Sequence, residues 1–247
     1  MEWSDEALIL SVRQHGETAA VVEVLAAQHG RYLGLVHGGR SRRLRPVLQT
    51  GNHVDAAWRA RLADQLGSFS IELRRGFAAE AMASPSPMTL AGLASIAAMA
   101  RLLPEREPHP SLYEVTMFVL SFLDDSSVWP ALYARWELAL LAELGFGLDL
   151  SSCAATGKTD DLIYVSPKSG RAVSREAGEP YRDRMLPLPA FLRSGGAAGT
   201  TTEADVSDAL RLTAHFLETR VLVPHGDTLP DVRVRLARMI DQTVGGA

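Results

Sequence analysis

Two prolines within six residues, Met82-Ala83-Ser84-Pro85-Ser86-Pro87, separate two stretches of this chain that obey different hydrophobic periodicities. Proline fixes φ and has no amide to donate, so such a segment reads as a linker or turn. Before it, short apolar runs fall at 7–12, 19–26, 32–36, 54–58 and 69–73, several of them rich in Val and Ile. Phe69-Ser70-Ile71-Glu72-Leu73 alternates residue by residue, as a strand with one wet face should. Turn signals lie between the runs: His15-Gly16-Glu17, His29-Gly30, His37-Gly38-Gly39 and Gly51-Asn52. Five strands so spaced predict a small closed barrel; a β-sandwich also fits, but five strands are few for one.

After the prolines the pattern turns helical. Residues 89–103 are rich in Ala, Leu and Met and stop at Pro104, and 112–123 stop at Asp124-Asp125. Residues 128–144 follow Ser126-Ser127, read as a cap, and stop at Gly145. In that last segment Leu132, Trp136, Leu140 and Leu144 share one face at i+4 spacing, so these helices are expected to pack into a bundle. Residues 149–200 are broken by glycines and prolines and read as an irregular insertion. Helix resumes near Glu203, where Thr200-x-x-Glu203 has capping-box spacing, runs to about Val221, and returns over 232–240. The expected class is α+β: a β-barrel domain at 1–80 and a helical domain at 81–247.

No run of 18 or more apolar residues exists, so no transmembrane helix is expected. The opening Met1-Glu2-Trp3-Ser4-Asp5-Glu6 is acidic, unlike a secretory signal. Cys153 is the single cysteine, which rules out an internal disulfide and suits a reducing cytoplasm.

The net charge of −4 hides an asymmetry. Residues 31–79 hold nine arginines (31, 40, 42, 43, 45, 59, 61, 74 and 75) and three acids, a net charge of +6, which leaves −10 for the rest. The densest part is His37-Gly38-Gly39-Arg40-Ser41-Arg42-Arg43-Leu44-Arg45-Pro46, with no acid anywhere between Glu23 and Asp55. Guanidinium forks suit phosphate oxygens, and glycines let backbone approach them. Arg40, Arg42, Arg43 and Arg45 are therefore the leading nucleic-acid-binding candidates, set against the plainer reading of a solvated charged loop. Arg31, Arg59, Arg61, Arg74 and Arg75 extend the groove if they share a face with that loop, and are otherwise ordinary surface arginines. Tyr32 and Trp58 have two readings, stacking on bases or filling a small barrel, the second being commoner.

Ala154-Ala155-Thr156-Gly157-Lys158-Thr159 imitates the end of a phosphate-binding loop. Ser152 stands where the motif needs its first glycine, and Asp160-Asp161 follow where a helix should begin. No histidine pair, thiolate set or glycine-framed nucleophile stands out, so neither a metal nor a catalytic site is expected.

Several short motifs follow one another in a telling order. Trp3-Ser4-Asp5-Glu6-Ala7, Gly16-Glu17, Val21-Val22, His29-Gly30, Gly38-Gly39-Arg40 and Leu48-Gln49-x-Gly51 mark the first domain. Trp136-Glu137-Leu138-Ala139-Leu140-Leu141, Leu144-Gly145-Phe146-Gly147-Leu148-Asp149-Leu150, Cys153, and Pro230 with Arg235-Leu236 mark the second. Across nearly the whole chain this resembles the RecO family of bacterial recombination mediators. The resemblance implies an N-terminal OB-fold, a helical C-terminal domain, no enzymatic activity and no cofactor. It implies binding of single- and double-stranded DNA, strand annealing, and help in loading RecA on DNA coated with single-stranded DNA-binding protein. The implied partners are RecR, the acidic, apolar C-terminal tail of single-stranded DNA-binding protein and, functionally, RecA, in the bacterial cytoplasm at the nucleoid and not at a membrane.

Some members of the family hold zinc with two Cys-x-x-Cys pairs. The corresponding positions here are Cys153/Thr156 and Ser174/Ala177, so three of four ligands are missing and a metal-free, zinc-ribbon-like insertion is expected. For the acidic tail, Arg135 beside Trp136 is the candidate contact, against the alternative of a surface arginine next to a core tryptophan. Two rival functions stand beside the DNA reading: a scaffold whose OB-like barrel binds acidic protein tails, and a nucleotide hydrolase built on Gly157-Lys158-Thr159.

Overall fold

Strand β1 (Glu2–His15) is long enough to pair twice. Its first half runs antiparallel to β4 (His53–Arg59), and from Ala7 onward it pairs with β2 (Ala19–Ala26), with a bulge between Ile9 and Ser11. A bulge bends a strand and tightens its twist, which is what curls a sheet onto itself. With β3 (Gly30–Val36) and β5 (Ser68–Arg75) the sheet closes as a barrel in the order β1-β2-β3-β5-β4, β3 and β5 meeting in parallel at Leu35 and Ser68. That is the strand order of an OB-fold. The structure, a computed structural model, describes residues 1–62, 65–193 and 201–244.

Inward-facing side chains of every strand fill the barrel, among them Ala7, Ile9, Val22, Val24, Val54, Trp58, Phe69 and Ile71. Trp58 is part of this core, its indole N–H donating to the carbonyls of Leu33 and Leu66, each at 3.2 Å. Of its two sequence readings, the structure takes the structural one. Tyr32 is half-buried, edge-on to Trp3 and Trp58.

Three helices follow in the same compact unit, Met1–Asp125: α1 (Phe77–Ala83), α2 (Pro87–Ala100) and α3 (Pro110–Ser121). α2 packs on β1, and Leu8, Leu10, Leu25 and Glu23 are buried although they point out of the barrel. This second layer explains why β2 reads Ala-Ala-Val-Val-Glu-Val-Leu-Ala with little alternation: a strand covered on both faces has no wet side. The proline pair is a shorter punctuation than its composition suggests. α1 takes residues up to Ala83, and Ser86 then caps α2, its Oγ accepting from the amide of Met88 at 3.3 Å, with Pro87 in the first turn. Pro110 and Pro130 open α3 and α4 (Trp129–Glu143) in the same way. Proline's fixed φ suits a first turn, whose amides lack helical partners anyway. The residue at the cap of α4 is Val128, not the expected Ser126-Ser127, and it supplies no side-chain bond.

The second unit, Ser126–Ala247, holds α4, the small sheet β7-β6-β8 (β6 Leu162–Val165, β7 Ala172–Ser174, β8 Leu186–Pro187), a single turn α5 (Arg175–Gly178), α6 (Glu203–Phe216) and α7 (Asp231–Val244). α6 packs on α4 and α7, and within the chain's second unit Trp129, Tyr133 and Trp136 stack in a row along α4. α6 is capped two residues later than its spacing suggests. Thr202 Oγ1 accepts from the amide of Asp205, whose carboxylate accepts in turn from the amide of Thr202. Thr200 lies outside the described residues.

The insertion keeps the outline of a ribbon without the donors for zinc. Cys153 is buried, and its Sγ accepts from the amide and hydroxyl of Ser174 at 3.2 and 3.4 Å. Burial pushes this thiol up, but hydrogen bonds from Ser174, Thr156 and the amide of Ala155 outweigh that and bring it down to about 6. One thiol, two hydroxyls and Ala177 do not make a tetrahedral zinc cage. Among the described residues no cluster of three His, Cys, Asp or Glu could hold a metal, and no helix is long and apolar enough to cross a membrane.

Candidate nucleic-acid interface

The basic segment is the connection between β3 and β4, residues 37–52, folded as consecutive turns. Ser41 opens one of these turns: its Oγ accepts from the amide of Leu44, and its carbonyl accepts from the amide of Arg45 at 3.0 Å. Leu44 and Leu48, one turn apart, both join the barrel core. Arg42, Arg43 and Arg45 are thereby left facing solvent. Gly39 serves packing more than phosphate: a Cβ there would lie 2.9 Å from that of Ala20.

Arg40 ties the connection to the turn between β1 and β2. Its amide donates to Thr18 O at 3.1 Å, and its guanidinium donates to Glu17 O at 2.8 Å and Gly16 O at 3.3 Å. Both acceptors are backbone carbonyls, so its charge is not cancelled. Arg13 sits on β1 two residues before that turn, exposed and without an acidic partner among the described residues. It is a cation that sequence reading missed, being single and far from the arginine run. Its only signal was its place beside His15-Gly16.

The other arginines of the 31–79 window have different fates. Arg31 is bound to Glu23, which is 1% exposed and also accepts from Arg101 Nε at 2.8 Å; Arg31 Nε donates to Leu103 O. Arg59 pairs with Glu2 at 2.9 Å, Arg74 with Glu6 and Asp55 at 2.8 Å each, and Arg75 with Glu80 at 2.8 Å. In each of these last three the hydrogen-bonded carboxylate holds the guanidinium above its ordinary pKa. Arg61 is exposed and unpaired among the described residues. It follows β4 at the Glu2 end of β1, whereas the 37–52 connection touches the turn past the other end of that strand. The nine arginines do not form one groove.

What remains is a compact positive surface: Arg40, Arg42, Arg43 and Arg45, with Arg13 beside the same turn. On the OB-fold face of strands 2 and 3, where such barrels often take oligonucleotides, Glu23 and Leu25 of β2 are buried here, and Arg31, Leu33 and Leu35 of β3 are partly buried. The chain belongs to the RecO family. The family model described as "Recombination protein O N terminal" matches residues 1–77, and "Recombination protein O C terminal" matches residues 86–228. The chain is 55% identical over 236 residues to the DNA repair protein RecO of Methylobacterium nodulans, covering 94% of this chain and 95% of that one. It is 51% identical over 243 residues to that of Methylorubrum extorquens, covering 97% and 98%. Mesorhizobium japonicum has another at 54% over 233 residues, covering 94% and 91%.

In the second unit of this RecO family chain, Arg135 and Trp136 part company. Adjacent residues on a helix point about 100° apart. Arg135 faces outward, its Nε donating to Phe191 O at 2.9 Å, while Trp136 is fully buried against Tyr133. A side chain with no exposure offers nothing to a partner while the core is closed. The Gly157-Lys158-Thr159 segment follows a turn at 154–156, with the Gly157 amide on Cys153 O and Lys158 Nζ on Glu176 at 3.1 Å. No strand leads into it and no helix leaves it, so it lacks the frame of a phosphate-binding loop.

Proposed function

We propose that this chain binds single- and double-stranded DNA through its phosphates in DNA repair and homologous recombination. In this reading it anneals complementary strands and helps load RecA on DNA coated with single-stranded DNA-binding protein. RecR and the acidic C-terminal tail of single-stranded DNA-binding protein are its protein partners, and exposed Arg135 is the contact we assign to the tail. The work is binding and alignment, without a bond being made or broken.

One observation carries the reading. Arg40, Arg42, Arg43 and Arg45 lie on a single exposed connection, and none meets a carboxylate among the described residues, although most of the barrel's other arginines do. Each carries a charge toward solvent that an external anion can meet. Guanidinium contacts to phosphate neutralise a strand, release its counterions and let two strands approach, without reading sequence.

The test is fluorescence anisotropy on labelled single and double strands with the Arg42→Ala/Arg43→Ala/Arg45→Ala chain. Arg40 is spared because it pins the β1–β2 turn. The expected result is loss of most affinity for both ligands, and of annealing, with an unchanged circular dichroism spectrum. Unchanged affinity at low salt would remove the assignment.

A further inference from the structure

Between the 37–52 connection and α1 lies an open cleft of about 450 Å³, lined by Arg42, Arg45, Pro46, Gln49, Ala79 and Met82. That volume is in the range of small-molecule sites. Its wall is mostly apolar, and Met82 is 62% exposed along it. Both arginines lack acidic partners among the described residues. Such a cleft suits a flat, apolar group with negative charge at its edge.

The cleft is also held in shape. Asn52, 1% exposed, donates through its side-chain amide to Pro46 O at 3.0 Å and Val47 O at 2.9 Å. Its Oδ1 accepts from the amide of Ala78 at 3.1 Å. One buried residue therefore fastens both walls, the connection on one side and α1 on the other. Gln49 adds a bond to Arg45 O at 2.7 Å. A preformed pocket spares its ligand the ordering cost of building one.

We propose that this cleft receives an unstacked base of single-stranded DNA, whose flanking phosphates Arg42 and Arg45 hold. The proposal rests on the DNA-binding reading above and sharpens it, because phosphate contacts alone do not tell a single strand from a duplex. A paired base is stacked and must be extruded first; a single-stranded base stacks on apolar or guanidinium surfaces freely. An acidic, apolar peptide would meet similar chemistry. Continuity favours the nucleic acid. Arg45 borders this cleft and also a second one, shared with Gln14, Ala20 and Arg40, so the cations continue past the cleft as a charged polymer requires.

The experiment uses the full chain and three labelled ligands of equal length: a thymidine single strand, an abasic phosphodiester strand, and a duplex. Ala79→Leu fills the cleft and Met82→Ala strips its wall; both residues are exposed, so the fold is spared. The parent chain is expected to bind the thymidine strand about fivefold or more tighter than the abasic one, the scale of a single stacking contact. Both variants should bring that ratio close to one and leave abasic and duplex affinities within about twofold. A ratio near one in the parent, or one that survives both substitutions, overturns the cleft proposal alone. If the triple arginine variant keeps its affinity for all three ligands, the DNA reading itself fails. An acidic, apolar peptide that binds the parent but not Ala79→Leu, with the base ratio unchanged, overturns the proposal and assigns the cleft to a protein.

Discussion

Arg233 on the last helix lays its guanidinium fork across the carboxylate of Glu137 on α4, Nε to Oε1 at 2.8 Å and Nη2 to Oε2 at 2.9 Å, with both side chains at most 3% exposed. Thr213 Oγ1 donates to the same carboxylate at 2.5 Å, and Arg233 also donates to Leu210 O at 2.8 Å. Three helices thus meet on one ion pair. Burial works against the Arg233 charge, but the Glu137 carboxylate more than restores it and holds the guanidinium above its ordinary value.

Removing one partner leaves the other charged and dry. Arg233→Ala and Glu137→Ala should each cost about 3–5 kcal/mol in urea unfolding. The double replacement Glu137→Leu/Arg233→Met should lie closer to the parent than either single change. A double variant as unstable as the sum of the two singles would mean that the two groups are not coupled, and would refute the pair.

Glu23 gives the first unit an acid-sensitive point. Burial disfavours its charge, yet hydrogen bonds from Arg31 and Ser11 and the charges of Arg101 and Arg31 hold its carboxyl below the usual value. The unfolded chain therefore takes up this proton first as pH falls. The stabilisation is complete above the unfolded carboxyl pKa of about 4.3 and is lost as pH drops through the lower folded value. Glu23→Gln should lower stability at neutral pH and flatten its fall below about pH 5. Equal slopes in parent and variant, followed by fluorescence, would contradict this.

Salt titration separates free arginines from paired ones. Each of Arg42→Ala, Arg43→Ala and Arg45→Ala should reduce the slope of log affinity against log salt by about 0.7–0.9. Arg59→Ala and Arg75→Ala, whose charges already face Glu2 and Glu80, should leave the slope nearly unchanged. The same loss at all five positions would mean that the paired arginines let go of their acids to meet DNA.

Gly30 and Gly16 both have positive φ, +73° and +58°. A Cβ on Gly30 would sit 1.8 Å from the carbonyl oxygen of Glu107, whereas one on Gly16 meets nothing within 4 Å. Gly16→Ala should cost only the left-handed strain, about 1–2 kcal/mol. Gly30→Ala should cost clearly more, since it also drives the β2–β3 turn away from the segment before α3. Equal thermal shifts for the two would refute the clash.

Much of the fold was legible in order of residues alone. Runs of four to eight apolar residues between glycine turns mark β2 to β5 to within two residues at each end, because side-chain period and turn chemistry are local properties. The arginine run on the β3–β4 connection was equally plain. Local reading slipped where a residue had two uses. Proline both ends and begins helices, so α2 starts at Pro87 and not after it, and α1 was hidden beside the linker.

Tertiary structure alone decided which positive charges stay available. Of the acids that claim Arg31, Arg59, Arg74 and Arg75, only Asp55 lies inside the 31–79 window; Glu2, Glu6, Glu23, Glu80 and Glu105 come from outside it. The window's excess charge was real as a count and wrong as a surface. Ion pairing acts over a few ångströms and takes no account of separation along the chain, so a running sum cannot foresee it. Arg135 and Trp136 make the same point in reverse: neighbours in sequence, they end on opposite sides of a core boundary, because a helix turns about 100° between them.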